Sequence, residues 1–317
     1  MMKLHELVDL KNRLLEFKHS ETMFFNADLD KFTTLLNLIG VTSFPDNRNE
    51  LYPTITTINY SYSDLKTKLD RFLETVDNRI YVITKDWYKM GYLTNTGEGC
   101  SQLDAESERT FREGKVPYDV KSRIHGLISK YTNDAYPVLE IGPGDGIWTD
   151  YLVAGDPLYL LDRHQEFLDN TKNKYPDQYK NRIRAYKILH GDLPDSDCSL
   201  LPQSQFNFIF SWNVFNYFPL DYTTAFLISA YKLLRPGGVM VFSYNNCEEV
   251  DCAKFAEIGY ASWMPKSLLK NKILELGFEI VNLDSDSGWH WAEIRKPGEL
   301  STVKVHQSLG EIVRIPR

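Results

Sequence analysis

The sequence predicts an α/β chain built on a mostly parallel sheet with helices on both faces. Three observations predict this. Short apolar runs alternate with helical patterns from about residue 120 onward, and strand–helix alternation implies a parallel sheet covered on both sides. Several runs end in a polar or acidic residue, among them Val138–Glu140, Leu158–Asp162 and Phe206–Ser211. A glycine-rich turn, Gly142-Pro143-Gly144-Asp145-Gly146, follows the first run directly.

The elements follow in order. Val120–Tyr131 carries apolar residues at helical spacing and reads as the helix that packs on the sheet before the glycine strand. After the glycine turn, Trp148, Tyr151 and Leu152 give a first core helix an inward face. Leu158–Asp162 reads as the second strand, and Lys187–Asp192 as the third strand and its end. Phe206–Ser211 is a buried fourth strand running into Trp212-Asn213-Val214-Phe215-Asn216-Tyr217-Phe218. Asp221–Leu234 is helical through Phe226, Leu227, Ala230, Leu233 and Leu234, and Leu233-Leu234-Arg235-Pro236-Gly237-Gly238 turns into a fifth strand. Ser267–Leu276 is a helix stopped by Gly277, a common residue just past a helix end. Phe278–Leu283 and Trp289–Arg295 read as a strand hairpin around a turn cluster, Asp284–Gly288.

The region ahead of this core is mixed α/β. Leu4–Phe17, Leu29–Ile39 and Tyr62–Val76 look helical, while Tyr52–Tyr60 and Arg79–Ile83 look extended. Thr94–Cys100 is rich in turn residues. The expected organisation is an N-terminal region over 1–115, a core over 116–297 and an extended tail over 298–317.

Composition narrows the class. The chain has 317 residues, 43% hydrophobic and 25% charged, which is ordinary for a globular protein. Apolar runs of about 18 residues, the length of a membrane span, are absent, and the polar N-terminus lacks a signal-peptide core, so a cytoplasmic protein is expected. The net charge of −7 weighs against tight non-specific nucleic-acid binding. The main basic stretch, around Lys174, Lys180, Arg182 and Arg184, reads as a solvated face. Cys100, Cys198, Cys247 and Cys252 lack metal-ligand spacing, so reduced thiols and no structural metal are expected.

The glycine turn decides which ligand the chain can take. Glycines tolerate positive φ and let the backbone approach a ligand closely. A helix start after them supplies unpaired N–H groups and a partial positive charge. The dinucleotide fingerprint is G-x-G-x-x-G, whereas here the pattern is G-x-G-x-G with Glu140 in front. This pattern resembles the cofactor loop of class I S-adenosylmethionine (SAM) dependent methyltransferases. Asp162, the Gly191-Asp192 pair, the Ser211–Phe218 segment and the Leu-Arg-Pro-Gly-Gly turn are similar to that family in order and spacing.

The resemblance implies a seven-stranded, mostly parallel Rossmann-like sheet with the last strand antiparallel, and SAM as the cofactor. It implies that Glu140 contacts the methionine amino group and that Gly142, Gly144 and Gly146 pass under the sugar and amino-acid portion. It assigns Asp162, with Arg163 beside it, to the ribose. It assigns Asp192 and Leu193 to the adenine, and Ser211 and Trp212 to the flank of the donor. A simple turn-forming role is the other reading of Asp192.

Acceptor chemistry is less marked. His290, with an ordinary pKa near neutrality, is a candidate base, the alternative being a strand histidine between two tryptophans. Tyr217 and Asn213, together with Asn216, Tyr244, Asn245 and Asn246, lie at or after strand ends and could orient an acceptor. Trp263, Trp289 and Trp291 could wall an apolar or aromatic acceptor, or simply pack the core. The D/N-P-P-Y/F motif of base amino-methyltransferases and the Pro-Cys pair of cytosine C5 enzymes are both missing, so DNA is not expected as the acceptor. The expectation is methyl transfer to oxygen or nitrogen of a small molecule, with the N-terminal region and Asn245–Pro265 as a cover. The alternatives are an RNA or protein acceptor, and a non-catalytic SAM-binding scaffold.

Overall fold

The computed structural model describes residues 3–19, 69–70, 73–84, 116–144, 146–188, 198–257, 261–299, 303–308 and 311–316. The readings over 29–39, 52–60 and 94–100, much of 62–76, and Asp192, Leu193 and Cys100 lie outside them. The chain divides into two compact units, one of residues 1–86 with 247–257 and one of residues 87–246 with 258–317.

The second unit holds a seven-stranded sheet. Its strands are β1 (Val138–Ile141), β2 (Leu158–Asp162), β3 (Ile183–Lys187), β4 (Phe206–Ser211), β5 (Leu234–Tyr244), β6 (Glu279–Asp286) and β7 (Trp289–Arg295). Their order is β3-β2-β1-β4-β5-β7-β6, with β7 antiparallel to both neighbours. The first three strands step outward in one direction and the next two in the other. That reversal opens a crevice between the carboxyl ends of β1 and β4, the place where open α/β sheets bind ligands.

Both faces of the sheet are covered, which is why β1, β2 and β4 are buried along their whole length. One face packs on α2 (Tyr118–Tyr131), α3 (Thr149–Leu152) and α4 (Gln165–Asn173) through Val120, Ile124, Ile128, Leu152 and Leu168. These meet Val138, Leu160, Phe208, Phe210 and Val241 from the strands. The other face packs on α6 (Leu220–Leu233) and, after α7 (Val250–Glu257), on α8 (Lys266–Glu275). Phe226, Leu227, Leu269 and Ile273 there meet Leu139, Ile141, Ile209 and Phe242. Period-2 alternation along the strands sorts the residues into these two sets. A one-turn helix, α5 (Asp177–Lys180), precedes β3.

Four local readings are corrected. β3 covers Ile183–Lys187, ahead of the third strand expected over Lys187–Asp192, because Ile183 to Lys187 pair in register with β2. The β6–β7 turn is only Ser287-Gly288, with φ of 51° and 78°. Positive φ at both central residues makes a tight two-residue hairpin, so the strands run on through Asp286, beyond the broad turn expected over 284–288. The helix after the glycine turn is a single turn, Thr149–Leu152. A macrodipole needs aligned peptides to accumulate, so the helix-end field expected there is small. The tail is a hairpin of β8 (Val303–Ser308) and β9 (Glu311–Pro316), antiparallel to each other, where a single extended piece was expected.

In the first unit, α1 (Leu4–His19) and the helical residues 73–84 share a small core of Leu7, Leu10, Leu14, Leu73 and Val76. Arg79–Ile83, expected to be extended, is helical, because Val76, Ile80 and Ile83 fall on one helical stripe toward this core. Lys11–Asp77 and Lys18–Asp70 ion pairs flank it, at 2.7 Å each. His5 Nδ1 lies 2.5 Å from Glu257 of α7. Among the described residues no helix is long and apolar enough to cross a membrane.

Ile124 and Leu227 are fully buried on opposite faces of the sheet. Ile124→Ala and Leu227→Ala should each lower unfolding free energy by about 2–5 kcal/mol in urea titrations. A loss below about 1 kcal/mol in either would contradict the two-faced core.

Candidate cofactor and acceptor site

The crevice is built from the glycine turn upward. Gly142, Gly144 and Gly146 all have positive φ, at 70°, 52° and 74°. The turn is closed by Gly146 N–H donating to Pro143 O at 2.8 Å, and tied to β2 by Gly142 N–H donating to Leu161 O at 2.8 Å. The three glycines differ in what surrounds them. A Cβ on Gly142 would run into Val214, and one on Gly146 would lie 2.8 Å from Thr171 Cγ2. A Cβ on Gly144 would meet nothing within 4 Å. The turn is therefore gripped at both ends and open in the middle, which is what a ligand lying across it requires.

Residues from two other elements hold the turn. Thr171 donates its hydroxyl to Gly144 O at 2.9 Å, and Lys174 donates to Gly146 O at 3.1 Å. Ser211, at the end of β4, donates to Ile141 O at 2.9 Å. That bond fastens the two strands that flank the crevice. The buried hydroxyl of Ser211 thus braces the site from below.

Glu140 is buried and accepts a hydrogen bond from Thr149 Oγ1 at 2.6 Å. Burial pushes its carboxyl up to about 8, partly opposed by the Thr149 bond, with Asp150 raising it and Lys174 lowering it. Such a group gains when a cation arrives to pair with it. Asp162, at the end of β2, is buried and accepts from His164 N–H at 2.8 Å. That bond fixes the carboxylate at the strand end. Arg163 is half-buried in the turn between them. Asp192 and Leu193 are not described.

The β4 exit is set by a polar chain. Asn213 has a φ of 60°, in the left-handed region. Its N–H donates to Ser243 Oγ at 2.7 Å, and Ser243 donates onward to Asn216 Oδ1 at 2.7 Å. Ser262 donates through its N–H and hydroxyl to Asn216 O at 2.8 and 3.0 Å. Asn245 donates to Ser262 O at 3.0 Å. Asn246 accepts from Lys266 N–H at 3.1 Å. Tyr217 lies half-buried in the short 3₁₀ turn Phe215–Tyr217.

The β4 and β7 ends add an aromatic wall. Trp212 stacks with Trp289 at 6.0 Å between centroids and tilts against Trp148 at 5.3 Å and Trp291 at 6.3 Å. Trp148 and Trp289 are half-buried, and His125 lies against Tyr151 at 3.6 Å beside Trp148. Arg123 reaches over Trp291 and pairs with Asp284. His290 is buried on the opposite face, next to Tyr244 at 5.9 Å. The structure thus gathers Glu140, the glycines, Ser211 and Trp212 around one crevice, and turns His290 away from its two neighbouring tryptophans. Thr149, Thr171, Lys174, Ser243 and Trp148 carry no motif of their own. Only their place next to a glycine turn or a strand end could have signalled them.

Gly142→Ala should destabilise the fold by about 2–5 kcal/mol, since left-handed strain of about 1–2 kcal/mol adds to a clash. Gly144→Ala should cost only the strain, measurable by thermal melts, and a larger cost at Gly144 than at Gly142 would contradict the open middle of the turn. For Glu140, the folded form keeps a proton that the unfolded chain has lost between the ordinary carboxyl value of 4.5 and about 8. Its contribution to stability is thus present below that window and lost as pH rises through it. Glu140→Gln should flatten the fall in unfolding free energy between pH 5 and pH 9, and an unchanged slope would count against the buried acid.

Residues 139–240 match the family model described as a methyltransferase domain. No curated protein matches the chain. Solved structures similar to it include a SAM-dependent methyltransferase from Aquifex aeolicus, at 14% identity, covering 61% of this chain and 98% of that one with a TM-score of 0.42. Another from Mesorhizobium loti has 14% identity, 61% and 99% coverage and a TM-score of 0.42. The 4+2 cyclase SpnF has 12% identity, 59% and 84% coverage and a TM-score of 0.47. The family match over the crevice strands and the sheet order agree: residues 139–240 carry a methyltransferase domain on a seven-stranded, mostly parallel sheet.

Proposed function

We propose that the chain transfers a methyl group from SAM to oxygen or nitrogen of a small, largely flat molecule. One observation carries this reading: the wall beside the glycine turn is aromatic, with Trp148 and Trp289 half-buried around Trp212. Nucleic-acid sites are lined by unpaired basic side chains. Here Arg182 pairs with Asp156 at 3.1 Å, Lys180 with Asp177 at 3.1 Å, and Arg184 bonds Tyr159 OH at 2.8 Å.

The residues present fit the cofactor. Open space over Gly144 admits it, and buried Glu140 suits its ammonium group. Asp162 would hold the ribose diol, with Arg163 beside it. Asp192 and Leu193 are the proposed adenine border, and Ser211 and Trp212 the flank of the donor. SAM supplies a methyl group already activated by its sulfonium, so the protein contributes position and exclusion of water. Asn213, held in its unusual conformation by Ser243, is proposed to orient the acceptor together with Tyr217. His290, buried on the face opposite the aromatic wall, is given no part in the transfer.

SAM and S-adenosylhomocysteine should both bind the purified chain in calorimetry. At pH 7 binding should release a proton from Glu140, making the apparent enthalpy depend on the buffer's ionisation enthalpy, and Glu140→Gln should remove that dependence. Labelled SAM offered with metabolite, RNA and protein fractions should mark a small molecule. Label in RNA or protein would overturn the acceptor proposed.

A further inference from the structure

We propose that Lys174 is a positioning residue for the cofactor, holding the glycine turn by its carbonyl and supplying the positive charge that lets Glu140 meet an ammonium group as a carboxylate. The inference rests on the SAM reading above and assigns a role to a residue outside the family's motif. Lys174 follows α4 and reaches the turn from behind, 3.1 Å from Gly146 O. It also lies 3.8 Å from Asp150 Oδ2. Asp150 is itself held by Tyr175 OH at 2.6 Å. The bond to Gly146 O satisfies a carbonyl at the gripped end of the turn and leaves the Gly144 side clear.

The charge has a second effect. Among the described residues, the charged groups that act on Glu140 are Asp150 from α3, Asp162 from β2 and Lys174 from the end of α4. The two aspartates oppose its ionisation and Lys174 favours it. Thr149 adds a hydrogen bond but no charge. Without Lys174, Glu140 would face two carboxylates with no cation among these groups until the ligand arrived. The lysine therefore offsets part of the cost of ionising a buried acid next to other acids.

The test separates the two roles. Lys174→Gln keeps a donor for the Gly146 carbonyl and removes the charge. Lys174→Met removes both, and Lys174→Arg keeps both. The ligands are SAM, which carries the ammonium group, and 5′-methylthioadenosine, which lacks it. Affinity is followed by calorimetry from pH 6 to pH 9. Lys174→Gln should weaken SAM about fivefold at pH 7 and move its binding profile to higher pH, with 5′-methylthioadenosine held within about twofold. Lys174→Arg should restore both. Equal weakening of the two ligands by Lys174→Gln, or an unmoved pH profile, would reduce Lys174 to a structural residue and overturn the inference. Should Lys174→Met fail to fold by circular dichroism, the Gln and Arg variants still decide the question. Wild-type protein that binds neither ligand would instead refute the SAM reading itself.

Discussion

The reversal of winding between the parallel strands β1 and β4 is the constraint on which the rest of the site depends. Because the chain winds outward to β3 and then returns to the far side of β1, no crossover covers the carboxyl ends of the two central strands. The gap must be held open and its backbone groups satisfied. The Ser211 bond to Ile141 O fixes the spacing of the strands there, while Thr171 and Lys174 take up carbonyls of the glycine turn. Val214 and Thr171 press on the outer glycines and leave Gly144 clear. Glu140 is buried at the bottom of this gap with one hydroxyl partner described. A carboxyl in such a place is held near neutrality by burial and is stabilised as an ion only when a cation joins it.

The two faces of the sheet then divide the labour around the crevice. The face under α2 and α3 carries Glu140, Trp212 and Trp291, and Trp212 packs at a tilt against both Trp148 and Trp291. Tyr244, packed in the core under α6 and α8, pairs across the strands with His290. Between the faces, the chain of bonds through Asn213, Ser243, Asn216 and Ser262 joins the β4 exit to the segment after β5. It holds Asn213 in a conformation that costs a non-glycine residue about 1–2 kcal/mol. Strain maintained by a network of neighbours is a common feature of sites that orient reacting groups.

The core was legible in the sequence because its signals are local. Apolar runs closed by Glu140, Asp162 and Ser211, a glycine spacing with positive φ at each position, and the Gly277 helix stop all depend on near neighbours. The antiparallel last strand followed from the family resemblance, while the strand order was not legible, since period-2 patterns do not state which strands are adjacent. What was missed depends on distant contacts. Lys174 looked like one member of a basic face, and only the packing of α4 behind the turn gives it a partner. His290 was read as lying between two tryptophans in sequence, yet alternation puts it on the other face. Arg79–Ile83 has β-branched residues typical of strands, but a leucine-rich stripe on α1 drew Val76, Ile80 and Ile83 into helical register. The hairpin turn was read too long because Asp284 and Asp286 resemble turn residues. The Arg123 ion pairs give those carboxylates partners within the strand.

A crystal structure with S-adenosylhomocysteine bound would test the central claim most directly. The account predicts the ligand across Gly144, its ammonium nitrogen within hydrogen-bonding distance of Glu140 and its ribose diol on Asp162. A ligand seated elsewhere, or one that leaves Glu140 without a cationic partner, would contradict it.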